Sequence, residues 1–553
     1  MNIHMKLASI LLCVTVATEA TAQSAPVPTL EPVMVDVDIS GLPASEQAAL
    51  VPLLRAARDM DELYIQQVWP GSRKLITERQ SSPTPAAQAE FDALNFFKGP
   101  WGRTGTAFID GVPAERPVGD FYPADTTKHD IEVWIKALPE IDRKRALDSF
   151  TVIERGRTHP FEIVSYGSHY GDVLSDAAKN LREAAALTHE KTLRSYLTLR
   201  ADALLNDDYY ASDVAFVGLK GSVDVVLGPY EVYDDPWFGV KTAFESSIAL
   251  VNQPATRRMV QISKHLQELE DNLPLPANLR GRKLGAAAPI VVSDVIYHGG
   301  MAAAGTANAA YGLPNDLRVL NAVGGRTGTY SNILKLQYDS TLLPMAEATL
   351  SKVDQSTLRF EDVRDEVMFV RIFDALGPQV VMGTKQSIAD ALRENAGVAE
   401  QIRSMLLSLW GHRYLVEHGY LERRESASLY TAFLIPALAR LRVGKTGPSA
   451  RGSTFVLNRL LESGAITVGD DGRFSIDQAA ADACIVQAAM EFVLPMAKGD
   501  DATIRTLLKR YAGVTPEIGH VLQRLGSAPP LERPVYRTAD RLSPPTIIHR
   551  HAG

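Results

Sequence analysis

Two charged residues, Arg371 and Asp374, stand in the apolar part of the segment EVMFVRIFDALGP, which runs from Glu366 to Pro378. Burial among apolar neighbours could raise the pKa of the Asp374 carboxyl, which would then act as an acid or base near neutral pH. The alternative is structural, because residues three apart on a helix can form an ion pair. Both interpretations stay open at the level of the sequence.

The spacing of the apolar residues predicts that this segment is a helix. They fall on two adjoining stripes, at positions 368, 372 and 376 and at positions 369 and 373, and Gly377 and Pro378 then end the helix. A helical zinc site carries two donors one turn apart with a general base beside the first, as in H-E-x-x-H. The corresponding positions here hold Val370, Arg371 and Asp374.

The pattern FxxIxxALGP in this segment resembles the zinc helix of the dipeptidyl peptidase III (M49) family, whose bacterial members carry an HExxH-type box followed by a GLGP turn. The resemblance places Val370 on the first His, Arg371 on the general-base Glu and Asp374 on the second His. Valine has no lone pair. A guanidinium at ~4 Å would repel a zinc ion by about 8 kcal/mol if the effective dielectric is about 20.

A second family motif is a Glu-Glu pair on a following helix, and the stretch from Ala391 to Trp410 resembles it. The resemblance places Glu400 on the first Glu and Gln401 on the second, which binds zinc in the family. An amide is a poor zinc ligand. All three ligand positions are thus changed, and we expect neither a metal nor another cofactor.

Two further stretches, GPYEVYDDPWFG with AFESSIALVN and then AAYGLPNDLRV, resemble segments that line the substrate cleft of the family. There, acidic residues hold the amino terminus of the peptide, and the matching positions are Glu231 and Glu245. Asn315 matches an asparagine of the peptide-binding turn beside Tyr311, while an earlier asparagine is replaced by Gly312. Without the resemblance, two carboxylates near aromatic residues would simply satisfy local hydrogen bonds.

Two more candidate site residues lie outside these segments. His298 precedes a Gly-Gly pair at the end of a predicted strand, where it is either a turn residue or a catalyst. The stretch RVGKTGPSARG lacks the first glycine of a P-loop. It resembles instead a family segment with Ser449 where a transition-state-stabilising His is expected.

Length and composition describe a globular protein. The 553 residues are 46% hydrophobic, enough for two or more domains, and the net charge of -8 argues against nucleic acid as a partner. Residues 1–22 have a basic start, an apolar run and a small-residue cleavage site, which predicts export to the periplasm or outside the cell. The apolar run is too short to span a bilayer, so we expect no membrane insertion.

The order of elements, together with the resemblance, implies an α+β fold that is mostly helical. It would have a helical lobe, a mixed lobe with a β-barrel core and a wide cleft between them. Residues 213–252 are predicted to form strand-like pieces followed by a helix, and residues 386–415 are predicted to form one long helix. The predicted divisions are a signal peptide (1–22), the mixed lobe (23–252 and 286–335), a helical insertion (253–285), the helical lobe (336–525) and a proline-rich surface tail (526–553).

Three functions remain open on the sequence. The favoured one is a metal-independent acid/base enzyme, of lyase or hydrolase type, that uses Asp374, Arg371, Glu400 and His298 on a small organic molecule. The second is an inactive pseudo-peptidase that captures short peptides or a partner through Glu231, Glu245 and Asn315. The third is a residual metalloenzyme using Asp374 and Glu400. The sequence specifies no oligomeric state.

Overall fold

The computed structural model describes residues 24–102, 105–285, 288–526 and 531–544. The predicted signal peptide lies outside these residues, as does the end of the predicted tail. The described chain is mostly helical with several small sheets, which confirms the α+β class.

Helices form most of the structure. In chain order they are α1 Ala44–Val68, α2 Ser72–Gln80, α3 Pro85–Phe97, α4 Lys128–Ala137, α5 Glu140–Ala146, α6 Tyr166–His169, α7 Gly171–Leu187, α8 Lys191–Asn206, α9 Tyr210–Val217, α10 Gln253–Ser263, α11 Leu266–Asp271, α12 Leu317–Val323, α13 Ser331–Gln337, α14 Leu343–Thr349, α15 Lys352–Thr357, α16 Phe360–Ile372, α17 Ile388–Leu392, α18 Ala396–Glu417, α19 Arg423–Val443, α20 Pro448–Glu462, α21 Gln478–Ala497, α22 Asp501–Tyr511, α23 Pro516–Arg524 and α24 Arg537–Leu542.

The strands of the described ranges are shorter and fall into four sheets. They are β1 Leu30–Val35, β2 Thr151–Arg155, β3 Phe161–Ser165, β4 Val223–Glu231, β5 Ala243–Val251, β6 Ile290–Gly300, β7 Ala310–Leu313, β8 Arg326–Tyr330, β9 Ile466–Val468, β10 Phe474–Ile476 and β11 Leu531–Tyr536. The largest sheet has the order β4-β5-β6-β8-β7, and only the β6–β8 pair is parallel. Among the described strands these pairings form one linear sheet.

The segment 243–251 is a strand, so the predicted helix at the end of residues 213–252 is wrong. β5 lies between β4 and β6 and is buried over most of its length. Burial on both faces hides the alternation of apolar and polar residues that usually marks a strand. α1 packs against β5 and β6.

Two large hydrophobic cores organise the described chain. The first lies between α1, α7, α8 and the five-stranded sheet, and the second joins α10 and α11 to the helices from α14 to α23. The predicted single helix over 386–415 is interrupted, because a short 3₁₀ turn separates α17 from α18. α21 is long and apolar enough to span a membrane, but its buried residues pack within the second core.

Residues 531–544, which fall in the predicted proline-rich tail, contain β11 and α24. β11 pairs in parallel with β1, and Tyr536 and Ala539 are buried in the first core. Proline does not prevent this pairing, because a two-stranded sheet consists only of edge strands.

A buried ion pair supports the β7 and β8 edge of the large sheet. Arg326 on β8 contacts Asp224 on β4 with 3.0 Å between Nη2 and Oδ1, and the Tyr311 hydroxyl on β7 donates to the other carboxylate oxygen at 2.7 Å. All three residues are buried. Removing one member leaves the others without the partners that offset their desolvation.

We predict that Asp224→Ala lowers the free energy of unfolding by about 3–5 kcal/mol, because it leaves the Arg326 guanidinium buried without its carboxylate. The urea midpoint followed by circular dichroism measures the change. Glu183→Ala is the control, since its ion pair with Arg55 is exposed and should contribute no more than about 1 kcal/mol. Equal effects of the two changes would contradict the importance of the buried pair.

Candidate functional site

A cavity of about 930 Å³ lies beside the large sheet and collects five of the nine residues proposed from the sequence. These residues are Glu231, Glu245, Tyr311, Asn315 and Arg371. Four come from the sheet or the turn after β7, and Arg371 comes from the last turn of α16. The cavity therefore lies between the large sheet and the end of α16, a helix whose apolar residues pack in the second core.

Glu245 is the most unusual group in this cavity. It lies on β5, is 3% exposed, and its Oε2 has no hydrogen-bond partner. Burial, together with the nearby Glu231 carboxylate, raises the pKa of Glu245 from 4.5 to about 8. A carboxyl with this pKa mostly retains its proton at neutral pH. A cationic group entering the cavity would find two carboxyl groups close together.

Arg371 faces these carboxyl groups from the helical side. Its side chain is partly in contact with solvent. The surrounding cavity walls nevertheless lower the pKa of Arg371 by desolvation, and the attraction of Asp374, Tyr233 and Glu231 opposes this shift. An ideal Cβ placed on Gly312 would lie 3.8 Å from Arg371 Nη1. The guanidinium thus lies beside the position where the family pattern has an asparagine.

Asn315 and Tyr311 have structural partners as well as a place in the cavity wall. The Asn315 amide donates from Nδ2 to the Tyr230 carbonyl at 3.0 Å, which leaves its side-chain oxygen as an acceptor. The Tyr311 hydroxyl is used by Asp224, so the ring is what Tyr311 offers to the cavity.

Asp374 forms its ion pair across to α18 rather than within its own helix. Its Oδ1 accepts from Arg403 Nη2 at 2.9 Å and also from the Ser404 hydroxyl. An Arg371–Asp374 ion pair is one of the two interpretations left open by the sequence, and in the structure Asp374 pairs with Arg403 instead. Glu400, one turn earlier on α18, has a raised pKa because it is partly buried, with Arg403 opposing the shift.

His298 and Ser449 lie apart from this group. His298 is buried within β6, where Nδ1 contacts the Ser247 hydroxyl at 2.8 Å and Nε2 contacts the Asn308 carbonyl at 3.1 Å. Burial lowers the pKa of His298 to about 4, so the ring is neutral at physiological pH. Ser449, at the start of α20, lines a neighbouring cavity.

The residues at the zinc-helix positions do not fit a zinc ion. Val370 offers no donor, Arg371 brings a positive charge, and the Asp374 carboxylate already accepts hydrogen bonds from two residues of α18. Gln401 is half-buried against α20, where an ideal Cβ on Gly452 would lie 3.2 Å from the Gln401 Cβ. Within the described ranges, no three His, Cys, Asp or Glu side chains are grouped closely enough to hold a metal.

Sequence reasoning missed several charged residues of the site. Arg116 and Asp234 form an ion pair of 2.7 Å in the cavity wall, and the Tyr64 hydroxyl donates to the same carboxylate at 2.7 Å. Tyr233 also lines the cavity, and the Glu231 charge raises its pKa. Tyr233 and Asp234 could have been identified from the sequence, because they lie in the YEVYDDPWFG stretch that resembles a cleft-lining segment of the family. The signal for Arg403 is a charged residue shortly before the mostly apolar run of residues 405–410 in α18.

The raised pKa of Glu245 predicts a pH-dependent stability. Between pH 4.5 and about 8 the unfolded chain has released this proton while the folded chain retains it, so Glu245 destabilises the wild type increasingly as pH rises. Each rise of one pH unit within this window lowers the free energy of unfolding by up to about 1.4 kcal/mol. Glu245→Gln should therefore gain stability relative to the wild type as pH rises through the window.

Urea unfolding at about pH 5 and about pH 8 measures this difference. The exposed Glu183→Gln provides the matched control and should show no such trend. A Glu245→Gln variant whose advantage is the same at both pH values would show that the carboxyl is ionised in the folded protein.

Comparisons with known proteins agree with this geometry. The chain aligns with a solved structure of dipeptidyl peptidase III from Caldithrix abyssi at a TM-score of 0.89 and 29% identity, over 94% of this chain and 99% of that chain. A 549-residue alignment with Nudix hydrolase 3 of Arabidopsis thaliana has 26% identity and covers 89% of this chain and 71% of that protein. No family model matches the sequence.

A second solved structure, dipeptidyl-peptidase III from Corallococcus sp. strain EGB, is 37% identical to this chain. It aligns at a TM-score of 0.79 over 93% of this chain and 96% of that chain. Identity at this level over nearly the whole length shows common descent as well as a common fold. The chain therefore belongs to the dipeptidyl peptidase III family, as a divergent member whose zinc-binding motifs are replaced.

Proposed function

We propose that this protein captures short peptides, or small molecules with an amino group, in the cavity between its large sheet and the end of α16 and does not cleave them with zinc. The observation that carries the proposal is the charge arrangement of that cavity. Glu231 and Glu245 lie on the sheet side, and Arg371 lies on the helix that carries zinc ligands in the family. Such a cavity suits a ligand with a positive group and, farther along, an oxygen that accepts hydrogen bonds.

The amino group would be held by carboxylate oxygens. Glu245 Oε2 is buried without a partner, and an ammonium donor would supply one. Binding would also favour the ionised form of Glu245, because a nearby positive charge lowers the pKa of a carboxyl. The side-chain oxygen of Asn315 offers a further acceptor, since Tyr230 holds its Nδ2.

Arg371 would bind the carbonyl or carboxylate oxygen of the ligand. A guanidinium forms two parallel hydrogen bonds with a carboxylate and can donate to a single carbonyl oxygen, but it cannot generate the nucleophilic water that a metal ion supplies. The dipeptidyl peptidase III relatives are peptidases by name. In this chain the same cleft would recognise peptides and release them intact.

An acid/base enzyme is the second candidate, and the raised pKa of Glu245 favours it. A carboxyl with a pKa of about 8 can donate a proton at neutral pH and regain it during a catalytic cycle. Asp374 is less suited to this role than the sequence indicated, since Arg403 and Ser404 hold its carboxylate. Either function would be carried out in the periplasm or outside the cell if the first 22 residues direct export.

We predict that a short peptide with a free amino terminus binds more tightly than its acetylated counterpart, and that Glu231→Gln weakens the free form by about 10- to 100-fold. The reason is the loss of a charge-assisted hydrogen bond. Isothermal titration calorimetry with a panel of di- to tetrapeptides measures the affinities. Glu183→Gln, which changes an exposed glutamate, is the control.

Mass spectrometry of the same peptides after incubation separates the two candidates. Intact peptides agree with capture. Turnover that Glu245→Gln abolishes while peptide binding persists would favour the acid/base enzyme. Equal affinity for free and acetylated peptides would contradict recognition of the amino group.

We predict that the wild-type chain, purified with zinc in the medium and dialysed, retains zinc well below one ion per chain. The combined variant Val370→His, Arg371→Glu, Asp374→His and Gln401→Glu should retain close to one, because it supplies three ligands and removes the guanidinium. Elemental analysis by mass spectrometry measures the ratio. The matched control carries the Val370→His, Asp374→His and Gln401→Glu substitutions but keeps Arg371, and it should bind less zinc than the combined variant. Stoichiometric zinc in the wild type would overturn this assignment.

A further inference from the structure

A second cavity, of about 710 Å³, borders the first one at Thr306, which lines both. Its walls come from the segment after β6, from α13 and α14, from the end of α19 and the start of α20, and from β11. Aliphatic side chains dominate it, among them Ile333, Leu336, Leu342 and Met345. A ligand that occupied the first cavity could therefore extend into an apolar space.

Arg440 places a positive charge in the wall of this apolar cavity. Its Nε donates to the Ser453 hydroxyl at 3.1 Å, and it has no ion-pair partner among the described residues. Burial lowers the pKa of Arg440 to about 10, with Glu366 in the helical core opposing the shift. The guanidinium nevertheless stays protonated at neutral pH. A charge in such a setting binds an anion strongly, because little water competes for it.

The other charged groups of the cavity also favour a negatively charged ligand. Arg442 also lines it and donates to the backbone carbonyls of Leu525 and Gly526, at 3.0 and 3.3 Å. Glu532 is the acidic side chain in the lining, and its carboxylate accepts hydrogen bonds from Ser340 and Thr341. Two guanidinium groups and one carboxylate leave a net positive charge in an apolar cavity.

We propose that this second cavity binds an apolar carboxylate through Arg440, and that it takes the hydrophobic carboxyl-terminal end of a peptide whose amino end lies between Glu231 and Glu245. The second half of this inference rests on the proposed function, whereas the first half stands on the cavity alone. The ligand class would be short peptides with a free carboxyl terminus and an aliphatic or aromatic last residue.

Octanoate tests the cavity alone, because it is an apolar carboxylate without an amino group. Isothermal titration calorimetry should show that the wild-type chain binds octanoate at least about tenfold more tightly than octanamide. Arg440→Met should abolish this preference, and Arg440→Lys should restore part of it. Glu183→Gln, which changes an exposed glutamate, should leave octanoate binding unchanged. Failure of octanoate to bind, or equal affinity for acid and amide, overturns the site.

Peptides test the connection between the two cavities. A tripeptide ending in leucine should bind more tightly as the free acid than as the amide, and Arg440→Met should remove the difference. If free amino termini are preferred but acid and amide bind equally, the proposed function stands and this inference fails. If octanoate binds while no peptide does, the proposed function fails and the site remains. Should Arg440→Met not fold, the acid and amide comparison on the wild type decides.

Discussion

A guanidinium beside a glycine shapes the chemistry of this cleft. Arg371 projects from the helix that carries zinc ligands in the family and lies next to Gly312 on the facing sheet, where an ideal Cβ would be 3.8 Å from Nη1. A fixed positive charge at this point disfavours a metal cation and attracts oxygens of a ligand. A Cβ at position 312 would be in ordinary van der Waals contact with this guanidinium. The two departures from the family pattern are therefore spatially linked.

The carboxylates around Arg371 are divided between two tasks. Asp374 is held by Arg403 and Ser404 of α18, which joins the end of the zinc-type helix to its neighbour. Glu231 and Glu245 remain in the cavity, and Glu245 lies buried with an unpartnered oxygen. A buried carboxyl without a full set of partners costs stability, and sites that bind ligands commonly carry such costs. The Asp374 carboxylate thus helps to maintain the scaffold, while the carboxyl groups of Glu231 and Glu245 are available to a ligand.

In this chain the fold of the family is kept, while the residues at the zinc-ligand positions are different. The chain aligns with solved structures of dipeptidyl peptidase III over more than nine-tenths of its length, and its described residues form two large hydrophobic cores. A scaffold of this kind is maintained by thousands of weak contacts that tolerate substitution, whereas a zinc site depends on three or four donor atoms. Replacing those few atoms changes what the cleft can do and leaves the cores intact.

The sequence by itself determined the family, the mostly helical class and the loss of zinc ligands, because motif spacing and donor chemistry are local properties of the chain. It also identified Glu231, Glu245, Asn315 and Arg371, which meet in one cavity. Only the tertiary structure decided the partner of Asp374, the burial of His298 within β6 and the pairing of β11 with β1. These depend on contacts between residues far apart in the sequence, and hydrophobic periodicity carries no information about which distant side chain a charge will meet.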